Sequence, residues 1–172
     1  MILTGEITYV ETYRVICIAI ASFASMFIAQ IWKVITNSIY EKRFAWRYFF
    51  TTGGMPSSHS STMVTMVTTL GILQAYFQQG LGYDFAIALA FTLVVIYDAM
   101  GVRYEAGKHA QLLNEIMENE PKSIQQKIGY DPDKSNLKVL LGHKPREVAF
   151  GILLGIIVGI IASVIYIVTV GY

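Results

Sequence analysis

Four apolar runs mark the chain, separated by polar stretches of very unequal length: about Tyr13 to Ile35, Pro56 to Phe77, Phe85 to Gly101 and Val148 to Val170. A helix of roughly 20 residues crosses a hydrocarbon core of about 30 Å, so these runs are candidate membrane spans. The second is the least apolar. Its Ser58, Thr62, Thr65 and Thr69 recur three and four residues apart, which makes one polar stripe and suits a helix facing other helices rather than lipid. The third is short and ends in Asp98, so its last turn is expected near the headgroups. The fourth carries Gly151, Gly155 and Gly159 at intervals of four. Such a doubled small-residue motif lets a partner helix approach closely, within one chain or across a homodimer.

Between the third and fourth runs, residues 103–143 are polar and too long for a bare connection. EAGKHAQLLNEIMENE has few helix breakers and is expected to extend the third helix beyond the membrane. Pro121 and YDPDKSN mark turns, and LKVLLGH leads back to the bilayer. The expected architecture is an all-α polytopic membrane helix bundle, a single domain over residues 1–172. It has about four transmembrane helices and a small cytoplasmic helical cap with no core of its own. Composition agrees: of 172 residues, 54% are hydrophobic and 15% charged, the balance of a membrane protein. Cys17 is the only cysteine, which excludes an intrachain disulfide and argues against a Cys-ligated metal. MILTGEITYV lacks the basic start and cleavage site of a secretory signal, so the first run is expected to remain in the mature protein.

Charge adds an orientation. Every Lys and Arg except Arg14 lies at the end of the first run, in the loop before the second, or between the third and fourth. With four crossings these positions share one face. The positive-inside tendency makes that face cytoplasmic and puts both termini outside. Net charge is only +1, and no nucleic-acid partner is expected.

Three segments carry residue types suited to phosphate chemistry. The first is GGMPSSHS, Gly53 to Ser60. Gly53 and Gly54 permit backbone conformations other residues resist, and Pro56 suits the first helical position. The N–H groups of Ser57 and Ser58 would then lie in a first turn without intrahelical partners, at the positive end of the helix dipole. His59, one turn in, could give a proton to a leaving oxygen. The second is LGHKPREV, Leu141 to Val148. With Pro145 at the first helical position, His143 stands just ahead of another helix. Glu147 could accept a hydrogen bond from one imidazole nitrogen and leave the other free to attack; alternatively it only caps the first turn. The third is YDAMGVRYEAGKHA. Asp98, near a membrane end, is expected to have a role. It stands five positions before Arg103, so a regular helix would not pair them. Arg103 has the donor fork for phosphate oxygens, or serves as a flanking topology charge. Lys33 shares a helix face with Gln30 and Asn37 and either binds anions or snorkels to the interface. His109 reads as a surface histidine; Arg47, just before the glycines, could reach phosphate, while Lys42 and Arg43 beside it look like ordinary flanking charge.

GGMPSSHS, YDAMGVRYEAGKHA and LLGHKPREV together resemble the divergent branch of the type 2 phosphatidic-acid phosphatase family, related to acid phosphatases and vanadium haloperoxidases. The resemblance covers nearly the whole chain. It implies a metal-independent phosphatase without cofactor, in which His143 attacks phosphorus to give a phosphohistidine, supported by Glu147. Pro56, Ser57, Ser58 and His59 resemble the phosphate loop, to which Gly54 belongs, and its histidine protonates the leaving group. By analogy Lys33 and Arg103 hold the phosphate oxygens, with Asp98 in support. The chain departs from the parent pattern at Ser58, where glycine is usual, and lacks a Lys-x6-Arg-Pro motif around Lys33. It also lacks a Ser-Arg pair before His143, and Pro145 interrupts the usual His-x3-carboxylate helix. The implied substrate is a lipid phosphate, either phosphatidylglycerophosphate or an isoprenoid (di)phosphate. Two rivals stay open. In one, magnesium on Asp98, Glu105 and Asn114 supports phospholipid headgroup transfer; in the other, the protein binds or transports anionic lipid without catalysis.

Overall fold

The computed structural model of the protein describes residues 2–51, 53–78, 80–127 and 142–170; for residues 2–10 and 126 it describes the backbone alone. All regular elements among the described residues are helices: α1 (Ile2–Glu41), a 3-10 turn (Trp46–Phe50), α2 (Ser58–Phe77), α3 (Tyr83–Met100), α4 (Val102–Asn119), α5 (Lys122–Lys127) and α6 (Pro145–Val170). The turn segment YDPDKSN and most of LKVLLGH lie outside the described residues.

Three stretches are long and apolar enough to cross a membrane, Glu11–Glu41, Tyr83–Asn119 and Pro145–Val170. On composition α2, the least apolar of the four runs, does not join them, so three spans rather than four are evident from length and apolarity. Its position explains why. Gly155 of α6 faces Ser61 and Val64, and Gly159 faces Thr65 and Thr68, so α2 and α6 run parallel. Lys33 lies beside Gly54 at one end, and the Arg14 guanidinium lies 5.6 Å from the Phe77 ring at the other. α1 is therefore antiparallel to α2. Thr92 reaches Met63 and Phe85 reaches Gly71, which makes α3 antiparallel as well. The 20 residues of α2, about 30 Å long at 1.5 Å per residue, thus extend the full depth of the bundle while sheathed by the other three. A sheathed helix has no need of a lipid-compatible surface.

The polar stripe of α2 is consumed in that packing. Ser58, Thr65 and Thr69 are buried. Thr65 donates to the Gly155 carbonyl at 3.2 Å and Thr69 to the Gly159 carbonyl at 3.5 Å, while Thr62 donates back to Ser58 at 2.7 Å. Ser61 exchanges a hydrogen bond with Ser25 of α1. The glycines of α6 bring its backbone within reach of these hydroxyls, and their face is filled within one chain. At the far end Gln74 clamps the α2–α3 link, donating to Asp84 at 2.5 Å and accepting from the Gly82 N–H at 3.0 Å. Arg14, a lone flanking cation by sequence, is buried there against Phe77 and paired with Glu11.

α4 follows α3 with only Gly101 between them, so the third helix does run on as expected, but with one interruption. The helix is interrupted at Gly101, where φ is −98° and ψ −95°, within the stretch Tyr83–Asn119. Only Gly107 and Ala110 of α4 are buried. Gln125 of α5 clips back to the Met117 and Glu120 carbonyls at 2.8 and 2.9 Å. The described part of the polar segment is accordingly a cap without a core.

Candidate active site

Parallel packing of α2 and α6 puts two helix N-termini side by side, and with them two positive dipole ends. The first turn of α2 differs from the sequence expectation by two residues. Pro56 lies ahead of the helix, and Ser57 is its cap, accepting from the Ser60 N–H at 3.3 Å and the Ser60 hydroxyl at 3.0 Å. The Ser57 N–H is not open to an anion, because it donates to the Glu147 carbonyl at 2.9 Å. Ser57 therefore joins the two helix starts. The donors that helix geometry leaves without intrahelical partners move on to Ser58 and His59, the first two helical residues. Gly54 takes φ of 91°, and a side chain built on it would meet Lys33 at 3.8 Å. That contact is an ordinary one, so the left-handed backbone rather than a shortage of space calls for glycine at 54.

His143 is fixed from three directions. Because α3 stops at Met100, the Ala99 carbonyl is among those left without an intrahelical donor, and it accepts the His143 N–H at 3.0 Å. Gly142, with φ of 76°, lies so close to the start of α4 that an added Cβ would sit 2.6 Å from the Arg103 carbonyl carbon. On the other side Glu147 folds back, and its Oε2 accepts the Lys144 N–H at 3.1 Å. This is the capping arrangement, the second of the two readings the sequence leaves open; no hydrogen bond joins Glu147 to the His143 ring. Pro145 takes the first position of α6 and places His143 two residues ahead of the helix, while Glu147 is drawn to the nearer orphan N–H.

The two histidine rings nevertheless meet, their centroids 6.1 Å apart and their planes at 72°. Together with Asp98, Arg103, Met63 and Val95 they line a cavity of about 150 Å³. Arg103 Nε lies 2.5 Å from Asp98 Oδ2. The pair that a regular helix would not favour forms across the interruption at Gly101. His143 is 3% exposed, and neither ring nitrogen has a hydrogen-bond partner. Lys33 is 0% exposed with its Nζ equally unpartnered. Buried polar atoms are rarely left so in a folded protein; Lys33 and the paired helix N-termini give the His143 ring a positive setting ready for an anion. Among the described residues, no three of His, Cys, Asp and Glu gather as a metal site would require.

Burial first, and then the charges of Lys33, His59 and Arg103, push the His143 imidazole down from its ordinary 6.5 to about 4. At neutral pH the ring is uncharged and holds a lone pair. Since the folded value is depressed, the unfolded chain binds the extra proton between those limits. The resulting stability is fully present above pH 6.5 and is lost as pH falls towards 4. A pH–rate profile should show an acid limb near pH 4. Lys33→Met should move that limb upwards by removing a repelling charge, and an unmoved limb would separate Lys33 from His143 electrically.

Residues 15–158 match the family described as the Divergent PAP2 family. The chain belongs to that family. It is also 34% identical over 139 residues to the uncharacterized membrane protein YuiD of Bacillus subtilis (strain 168), an alignment covering 77% of this chain and 84% of that protein. No solved structure matches it. In this Divergent PAP2 chain, His59, His143, Asp98 and Arg103 come together around one cavity. Lys33 is buried behind it, and Ser57 and Glu147 stitch the two helix starts together. His109 is exposed, as the sequence implies. Sequence reading missed Met63 and Val95. Their helical spacing, four after His59 and three before Asp98, is the signal that locates them.

Proposed function

We propose that the protein is a membrane-embedded phosphatase that hydrolyses a lipid phosphomonoester through a phosphohistidine, with its site at the cytoplasmic end of four crossings and both termini outside. The observation that carries this reading is the pair of imidazoles from distant segments facing one cavity, with both nitrogens of the buried His143 unsatisfied. Lys33, Arg103 and the first-turn N–H groups of α2 neutralise the phosphoryl oxygens; such positioning and charge stabilisation supplies most of the catalysis in phosphoryl transfer. A neutral His143 nitrogen attacks phosphorus as the bond to the lipid oxygen breaks, and protonated His59 gives its proton to that oxygen. Water then attacks the phosphohistidine, His59 takes back a proton, the P–N bond breaks and orthophosphate leaves. Glu147 acts through the backbone, by holding the start of α6 and hence the His143 segment.

The magnesium reading loses support because Asp98 is paired with Arg103, and Glu105 with Lys108 at 2.8 Å. Purified protein in detergent should release phosphate from phosphatidylglycerophosphate or an isoprenyl phosphate, undiminished by a chelator. Loss of activity on chelation would favour the metal enzyme, and no release from any lipid phosphate would leave an anionic-lipid binder. For orientation, S123C should be labelled only from the cytoplasmic side of sealed cells; labelling from outside alone would reverse it.

A further inference from the structure

The cavity has a polar rim and an apolar floor, and the two are stacked along the bundle axis. His59, Asp98, Arg103 and His143 make the rim; Met63 and Val95 make the floor. Met63 follows His59 by four residues on α2, which runs away from the site. Val95 precedes Asp98 by three on α3, which runs towards it. Both therefore lie about one turn, roughly 5 Å, deeper in the bilayer than the rim. Below them the helices close: the Thr92 hydroxyl donates to the Ala88 carbonyl at 2.8 Å and approaches the Met63 carbonyl at 3.4 Å. That hydroxyl has its proton committed and is itself buried, and the Met63 and Val95 side chains that face a ligand carry no hydrogen-bond donor.

On the phosphatase reading, His59 protonates the bridging oxygen, and Met63 lies directly beneath it on the same helix face. The first carbons of the leaving alcohol must then rest on Met63 and Val95. A glycerol-linked ester would set a hydroxyl or ester oxygen against this wall, where nothing satisfies it. A hydrocarbon chain bonded directly to the bridging oxygen loses nothing there and gains burial. We infer that the site selects phosphate esters of hydrocarbon alcohols, long-chain alkyl or isoprenyl, over esters of glycerol, and that Met63 and Val95 determine this choice. The inference rests on the phosphatase reading for the placement of the leaving oxygen. The floor is one turn deep, so only the first carbons are read, and the remaining chain leaves sideways into lipid.

The test compares farnesyl phosphate with phosphatidylglycerophosphate in detergent micelles, using the wild-type protein, Val95→Thr and Met63→Gln. In parallel, calorimetry measures binding of decylphosphonate and of a glycerol phosphonate. The wild type should favour farnesyl phosphate in kcat/KM by about tenfold, the effect of burying about two methylenes. Each variant should bring the two substrates close to parity, mainly by slowing farnesyl phosphate. Thermal unfolding identifies any variant that merely fails to fold, and the two substitutions lie on different helices. Equal use of both lipids by the wild type, or a preference unchanged in both folded variants, overturns the inference. Tight, variant-sensitive decylphosphonate binding without turnover of any ester would sink the phosphatase reading and keep the chain-selecting floor. Absence of both turnover and binding would sink both.

Discussion

His143→Ala is expected to reduce phosphate release by about a thousandfold or more, because it removes the atom that forms the covalent intermediate. Folding should survive: the segment is held by its backbone, through the Ala99 carbonyl and the capping bond from Lys144 to Glu147, and neither needs the ring. His59→Ala should behave differently. Loss of a general acid costs roughly a hundred- to ten-thousandfold on lipid alcohols and much less on p-nitrophenyl phosphate, whose leaving group departs without a proton. Rapid quenching of the wild type should trap acid-labile phosphate on the protein, and His143→Ala should trap none. Full activity of His143→Ala in detergent, or the same loss from His59→Ala on both kinds of leaving group, would mean the roles have been assigned to the wrong residues.

The elements of this fold were legible where one segment decides its own conformation. The polar stripe of α2 and the glycine face of α6 follow from helical periodicity, and each apolar run is found as a helix, although α2 is not apolar enough to count as a span by itself. Expectations failed where a neighbouring segment competes for a donor or an acceptor. Glu147 was open to either partner by spacing; the Lys144 N–H takes it because Pro145 starts the helix between them. Asp98 and Arg103 are unpairable in a continuous helix, and a lone glycine between them is too weak a stop signal to reveal the interruption at Gly101 that lets them pair. The α2 start moved from Pro56 to Ser58 because Ser57 is more strongly engaged as a cap and as a donor to Glu147. Which end of α2 meets which end of α6 is a matter of tertiary packing, and no local pattern encodes it. The site depends on that parallel pairing more than on any motif.

Gly151 shows that dependence most directly, and Gly151→Ala should damage activity out of proportion to stability. A Cβ there would lie 2.6 Å from the Ser57 carbonyl oxygen and 3.1 Å from the Ser57 and Ser60 Cβ atoms. These are backbone and short side-chain atoms that cannot swing aside, so the two helix starts must separate. Overpacking of this kind costs about 1–3 kcal/mol. The separation falls beside the bond from Ser57 to Glu147, and so between the segments that deliver His59 and His143. Gly159→Ala is the control. Its Cβ would meet Thr68 at 2.7 Å and the Thr65 carbonyl at 3.2 Å, a comparable conflict about two turns further from the site. The two variants should unfold at similarly lowered temperatures in detergent, while Gly151→Ala loses at least tenfold more of the remaining activity, since near 1 Å of displacement between reacting groups costs about a hundredfold. Equal activity losses would show that the imidazoles are positioned by their own loops rather than by the seam between α2 and α6.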